Sequence, residues 1–102
     1  MTMTEKRKKV IDWANERNLI HEENAKTQFI KLVEEVGEMG KSLLKNNKGQ
    51  LKDDFGDVQI VLIILAEQLG IDLDECLELA YNEIKDRKGK MIGGSFVKES
   101  DL

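Results

Sequence analysis

Residues 58–65 read Val-Gln-Ile-Val-Leu-Ile-Ile-Leu, with one polar side chain in eight. As a helix this run is apolar nearly all round, and a helix of that kind must be covered on every side. The chain has 102 residues, enough for one domain, and little of it is left over to provide that cover. The run therefore predicts helices packed on helices. It also predicts that a second copy supplies part of the cover through isologous pairing, as a homodimer or homotetramer. Proline is absent and aromatics are only 5%, which disfavours a turn-rich sandwich or barrel.

Apolar periodicity extends this reading to an all-α, four-helix bundle-like fold with a short C-terminal tail. Helices are predicted over residues 4–18, 24–46, 50–69 and 73–88. Phe29, Leu32, Val33, Val36, Leu43 and Leu44 trace the second, and Leu73, Cys76, Leu77, Ala80 and Ile84 the fourth. Asn46-Asn47-Lys48-Gly49 is a polar break. Gly70 stands where a left-handed C′ residue belongs, and Asp72-Leu73-Asp74-Glu75 reads as an N-cap with Glu at N3. Short connections make neighbours antiparallel. A single domain over residues 1–102 is expected, with a helical core over 4–88 and a tail over 89–102. In the tail, Met91-Ile92 and Ser95-Phe96-Val97 flank Gly93-Gly94. That pattern permits a two-residue hairpin, or else a loosely ordered terminus, since an isolated hairpin is marginal in water.

Several chemistries are excluded or disfavoured. One cysteine, Cys76, and one histidine, His21, leave no disulfide framework, no multi-His or multi-Cys zinc site and no ready Ser-His-Asp triad. No apolar stretch is long enough to span a membrane. The first residues lack a secretory apolar region, so a cytoplasmic setting is expected. The net charge of -4 argues against nucleic acid as a main partner, and Lys6-Arg7-Lys8-Lys9 reads as a solvated helix start.

The informative residues are acids. Glu35 and Glu38 are three apart, and Asp54-Phe55-Gly56-Asp57 repeats the spacing. Residues at i and i+3 share a helix face. On the second helix the apolar stripe is centred on Phe29, Val36 and Leu43, with Glu35 at its border and Glu38 slightly beyond. On the third, Val58, Val61 and Leu65 fall within about 40° of Asp54, and Asp57 lies about 60° to one side. Asp54 is therefore expected in the middle of an apolar face, where an unpaired charge is costly. Lys31 and Lys41 are too few to neutralise four convergent carboxylates with Glu34 and Asp53 at the edge. Oxygen donors without His or Cys suit a hard divalent ion, Mg2+ or Mn2+. Gly37 and Gly56, each just before the second acid of a pair, suggest a close helix approach or crowding by a ligand.

Glu34-Glu35-x-x-Glu38 followed by Asp54-x-x-Asp57 resembles the EExxE…ExxD signature of the MazG-like family. Those proteins are all-α nucleoside triphosphate pyrophosphohydrolases related to dimeric dUTPases and dCTP pyrophosphatases. Gln28-x-x-Lys31-Leu32 is similar to that signature's lead-in, and Asn82-x-x-Lys85-x-Arg87 to its phosphate-binding end. Trp13 and Arg17-Asn18 resemble a nucleoside-holding segment, although Trp13 serves equally as a core anchor. Asp54 departs from the usual Glu by one methylene. The resemblance covers roughly residues 10–90. It implies metal ligation by Glu35, Glu38, Asp54 and Asp57, and a general base among Glu34, Glu35 and Glu38. It places substrate contacts at Lys31, Asn82, Lys85, Arg87 and Trp13.

The implied reaction is metal-dependent cleavage of an NTP or dNTP to the monophosphate and pyrophosphate, in nucleotide-pool housecleaning. It fits an acidic protein acting on an anionic substrate, because a divalent ion inverts the local charge and acidifies water. No Gly-x-x-x-x-Gly-Lys loop for γ-phosphate transfer is present. No Ser or Cys nucleophile with a nearby base is evident, which favours direct attack by water. The alternative is a non-catalytic metal- or nucleotide-binding helical module, or a protein-interaction bundle.

Overall fold

Local capping sets where the helices begin and end. In the computed structural model, which describes the whole chain from Met1 to Leu102, α1 spans Met3–Glu16, α2 Ala25–Leu44, α3 Lys48–Gln68 and α4 Leu73–Ile84. A 3-10 turn, Glu22–Asn24, precedes α2. The Thr2 side chain accepts the Glu5 amide at 3.1 Å to start α1, and the Asn47 side chain accepts the Gln50 amide at 3.1 Å to start α3. The first three helices end alike. The residue after the C-cap is left-handed in each: Asn18 (φ 59°), Asn46 (φ 55°) and Gly70 (φ 66°). The next amide then reaches back to a carbonyl in the last turn: Leu19 to Ala14 at 3.0 Å, Asn47 to Ser42 at 3.0 Å, and Ile71 to Ala66 at 2.9 Å. This is the Schellman arrangement, which satisfies carbonyls that the helix leaves unpaired. Asparagine serves at two of the positions because its short polar side chain tolerates the left-handed region.

The chain divides into two units, Met1–Asp72 and Leu73–Leu102. The first unit holds every buried residue. Its α2 packs chiefly against α3, and α1 also packs on α3. The covered face of α2 runs through Ala25, Gln28, Leu32, Glu35, Met39 and Ser42, at alternating steps of three and four that keep one seam facing a neighbour. From α3 the same seam receives Asp54, Val61, Ile64 and Gln68. Gln28 Nε2 donates to the Val61 carbonyl at 3.4 Å across it. Gln68 Nε2 donates to the Leu19 carbonyl at 2.9 Å, tying the end of α3 to the segment after α1.

This corrects the expected stripe on α2. Phe29, Val36 and Leu43 are 56%, 46% and 61% exposed, and the buried seam lies one residue round the helix. Periodicity finds an apolar face, but α2 carries a second, more polar one, and the α2–α3 connection fixes which of them meets α3. A Cβ at Gly37 or Gly56 would meet no atom within 4 Å. No close helix approach within the chain explains either glycine.

The second unit contains α4 and a hairpin. α4 ends at Ile84, not at residue 88 as expected, and a turn at residues 85–86, with the Arg87 amide bonded to the Ile84 carbonyl at 2.9 Å, leads into the hairpin. Strand β1, Gly89–Ile92, pairs antiparallel with β2, Ser95–Lys98, with Gly89 opposite Lys98 and Ile92 opposite Ser95. The Glu99 amide continues the ladder to the Lys88 carbonyl at 2.7 Å. Gly93 (φ 57°) and Gly94 (φ 84°) form the turn, whose two positive φ values match the twist of the flanking strands. Of the two readings of the tail, the structure adopts the hairpin. At Gly89 a Cβ would collide with the Val97 carbonyl oxygen and lie 2.7 Å from the Phe96 ring. Phe96 thus covers a position that admits only glycine. No helix is long and apolar enough to cross a membrane.

Candidate metal centre

One turn of α3 gathers the acids. Carboxylate oxygens of Asp53, Asp54 and Asp57 lie within 4.8 Å of one another. Asp53 is exposed, Asp57 is half-buried and Asp54 is 3% exposed. The rotation argument from sequence thus places Asp54 correctly in the seam. A buried carboxylate needs partners, and the expected partner was a positive charge. From within the chain, two neutral donors reach it. Ser42 Oγ donates to Asp54 Oδ2 at 2.5 Å, and Gln50 Nε2 donates to Asp54 Oδ1 at 3.0 Å. Gln50 Nε2 also lies 3.5 Å from Asp53 Oδ2. Neither Lys31 nor Lys41 forms an ion pair with these acids, and the pairs Arg17–Glu16 and Lys98–Asp101 lie elsewhere.

Sequence reasoning noted Asp53 only as an edge acid and missed Ser42 and Gln50. Signals existed for both. Ser42 follows Glu35 by seven residues and so shares its face, and Gln50 precedes Asp54 by four.

The acids of α2 stand on the facing helix. Bonds from Ser42 to Asp54 and from Gln28 to Val61 show that the two helices run antiparallel. One turn back from Ser42 is Glu38, level with Asp57 across the seam. Glu35 is half-buried in the seam, whereas Glu34 and Glu38 are exposed. Neither Glu35 nor Glu38 belongs to the converged carboxylate set. The structure therefore brings Asp54 and Asp57 together with Asp53. The two glutamates are left flanking that group.

The donor set fits a hard divalent ion. It is all oxygen, its like charges repel at this spacing, and no basic side chain offsets them. Asp54 keeps free lone pairs after accepting its two hydrogen bonds.

The remaining candidates are dispersed. Lys31 is exposed, two turns before Glu38 on α2. Trp13 is 46% exposed and is no core anchor. The Arg17 guanidinium lies 4.2 Å from its ring centroid, a cation–π contact, and Arg17 also donates to the Trp13 carbonyl at 3.0 Å. Asn82 belongs to α4, and Lys85 and Arg87 follow it, all exposed in the second unit. The early end of α4 corrects the expectation that Lys85 and Arg87 lie within a helix.

The sequence pattern of the MazG-like family matches residues 17–94, which include every candidate except Trp13. The chain belongs to the MazG-like family. It is 43% identical over 65 residues to an uncharacterized 18.2 kDa protein of the rep-hol intergenic region of Haemophilus phage HP1 (strain HP1c1). The aligned stretch covers 64% of this chain and 40% of the phage protein, so the chain spans well under two thirds of that relative's length. No solved structure matches.

Proposed function

We propose that this MazG-like chain is a metal-dependent nucleoside triphosphate pyrophosphohydrolase, releasing the monophosphate and pyrophosphate. The observation that carries the reading is the group of Asp53, Asp54 and Asp57 on one turn of α3, with Asp54 buried in the α2–α3 seam. Family membership supports the reaction type. Asp54 and Asp57, with Glu35 and Glu38 from the facing helix, would hold Mg2+ or Mn2+. When bound, such an ion supplies positive charge toward the substrate phosphates and acidifies water.

The chain's own residues do the rest. One carboxylate oxygen among Glu34, Glu35 and Glu38 takes the proton of the water that attacks the α-phosphorus. Lys31, Lys85 and Arg87 contact phosphate oxygens and Asn82 donates a hydrogen bond to them. Trp13 stacks the base once Arg17 leaves its ring face.

Pyrophosphate release from a panel of canonical, deoxy and oxidised triphosphates with Mg2+ tests this. Glu38→Gln should lower turnover on the order of 10²-fold or more. In oxygen-18 water the label should enter the monophosphate. Label confined to pyrophosphate, or orthophosphate as product, would mean that another bond breaks.

A second reading rests on the hydrogen bonds to Asp54. Ser42 and Gln50 already occupy one lone pair on each of its oxygens, which would also suit a helical module without turnover. Ion binding without pyrophosphate release would select it.

We also propose that the chain is a homodimer or homotetramer. Phe29, Val33, Val36 and Leu43 recur at heptad-like steps along α2 and remain exposed, with Phe55 of α3 at 55%. Sedimentation should give a species larger than the monomer at micromolar concentration, and a stable monomer would end the idea.

A further inference from the structure

The turn between α2 and α3 closes a circuit of four hydrogen bonds around Asp54. The Asn47 amide donates to the Ser42 carbonyl at 3.0 Å. Ser42 Oγ donates to Asp54 Oδ2 at 2.5 Å, and Gln50 Nε2 donates to Asp54 Oδ1 at 3.0 Å. The Gln50 amide donates to Asn47 Oδ1 at 3.1 Å, which completes the ring. Ser42 and Gln50, whose backbone groups take part in ending α2 and beginning α3, are thus the residues whose side chains hold the Asp54 carboxylate. Ser42 is 7% exposed and Asp54 3%, so the hydroxyl meets the carboxylate away from bulk solvent. Within this circuit Ser42 is the only residue of the α2 seam that touches an acid of the α3 group.

We propose that Ser42 is a positioning residue of the metal centre. Its hydroxyl fixes the plane of the Asp54 carboxylate, which leaves the remaining lone pairs of Asp54 beside Asp57 and Asp53. The inference rests on the metal-centre reading above. Such outer partners orient a ligand before the ion arrives, and their loss lowers metal affinity about 10–100-fold while every ligand remains. Alanine at position 42 keeps the helix but frees the carboxylate to rotate. Threonine keeps the hydroxyl.

The test is Mn2+ binding followed by electron paramagnetic resonance, with no nucleotide present. It compares the parent with Ser42→Ala, Ser42→Thr and Asp57→Asn, each checked for helicity and cooperative melting. Ser42→Ala should weaken binding about 10-fold or more, and Ser42→Thr should return it close to the parent value. If Ser42→Ala fails to fold, the near-isosteric Ser42→Cys takes its place, with a loss again expected from its weaker donor. A folded alanine (or cysteine) variant with parental affinity overturns the proposal. So does a threonine variant as weak as alanine, because the loss then comes from seam packing and not from the missing hydroxyl. A parent that binds no Mn2+, or an Asp57→Asn variant that binds it as the parent does, removes the metal-centre reading itself and the proposal with it.

Discussion

The two units of this chain reach order by different routes. Residues 1–72 bury Val61, Ile64 and Ala66 of α3 against helices distant in sequence, and they set three polar residues, Ser42, Asp54 and Gln68, inside the same seam. Residues 73–102 bury nothing: Leu77 is 70% exposed, Tyr81 58% and Phe96 51%. Their order comes from bonds between near neighbours, a three-turn helix and a hairpin closed by two glycines. Isolated elements of that size are marginal in water. The first unit thus has a tertiary core of its own, whereas the second has no buried residue. The candidate metal centre lies in the first unit, where Asp54 is buried and hydrogen-bonded to Ser42 and Gln50. The candidate phosphate contacts Asn82, Lys85 and Arg87 lie in the second, on α4 and the turn that follows it.

The largest expected difference between the units is in packing. Ile64→Ala should destabilise the protein by about 2–5 kcal/mol, since a 3%-exposed side chain leaves a cavity. Leu77→Ala should stay within about 0.5 kcal/mol as an exposed substitution. Urea melts of both measure it. A Leu77→Ala loss as large as that of Ile64→Ala would show that a second molecule covers α4 in solution.

Ion binding should come next. A divalent ion at 100 times its Kd adds about 2.7 kcal/mol to the state that binds it, raising Tm by roughly 10 °C or more in a domain of this size. Thermal scans with and without Mg2+ or Mn2+ should show that rise in the parent and lose it in Asp57→Asn. A rise that persists in the variant would place the ion outside the first unit's acid group.

The smallest effect belongs to the hairpin turn. Gly93→Ala forces a side chain into φ 57°, at a cost of about 1–2 kcal/mol. Hydrogen exchange should quicken at the amides of residues 89–98 and stay unchanged at Val61 and Ile64. Faster exchange in the α3 core as well would mean that the two units open together.

Much of this was legible in the sequence. The four helices and the left-handed Gly70 follow from short-range patterns, and Gly93-Gly94 permitted the hairpin without deciding it against a loosely ordered terminus, because capping and turn chemistry act over a few residues. Asp54 could be placed on the apolar face of α3 because its neighbours Val58, Val61 and Leu65 define that face by rotation alone. The face of α2 that meets α3 was not legible. Phe29, Val36 and Leu43 make the stronger apolar stripe, yet the seam runs through Gln28, Glu35 and Ser42.

Local patterning settles element type, the left-handed end of α3 at Gly70 and the spacing that sets acids on common faces. Each depends on interactions within about one turn of the chain. The partners of those faces come from helix packing. Packing gave Asp54 the donors Ser42 and Gln50, drew Asp53 into the group with Asp57, and left Glu38 outside it. The reason is physical: a buried carboxylate must be hydrogen-bonded, but which donor reaches it depends on the register of two helices. That register was set by the three-residue connection 45–47 and its caps, beyond the reach of either helix's own pattern.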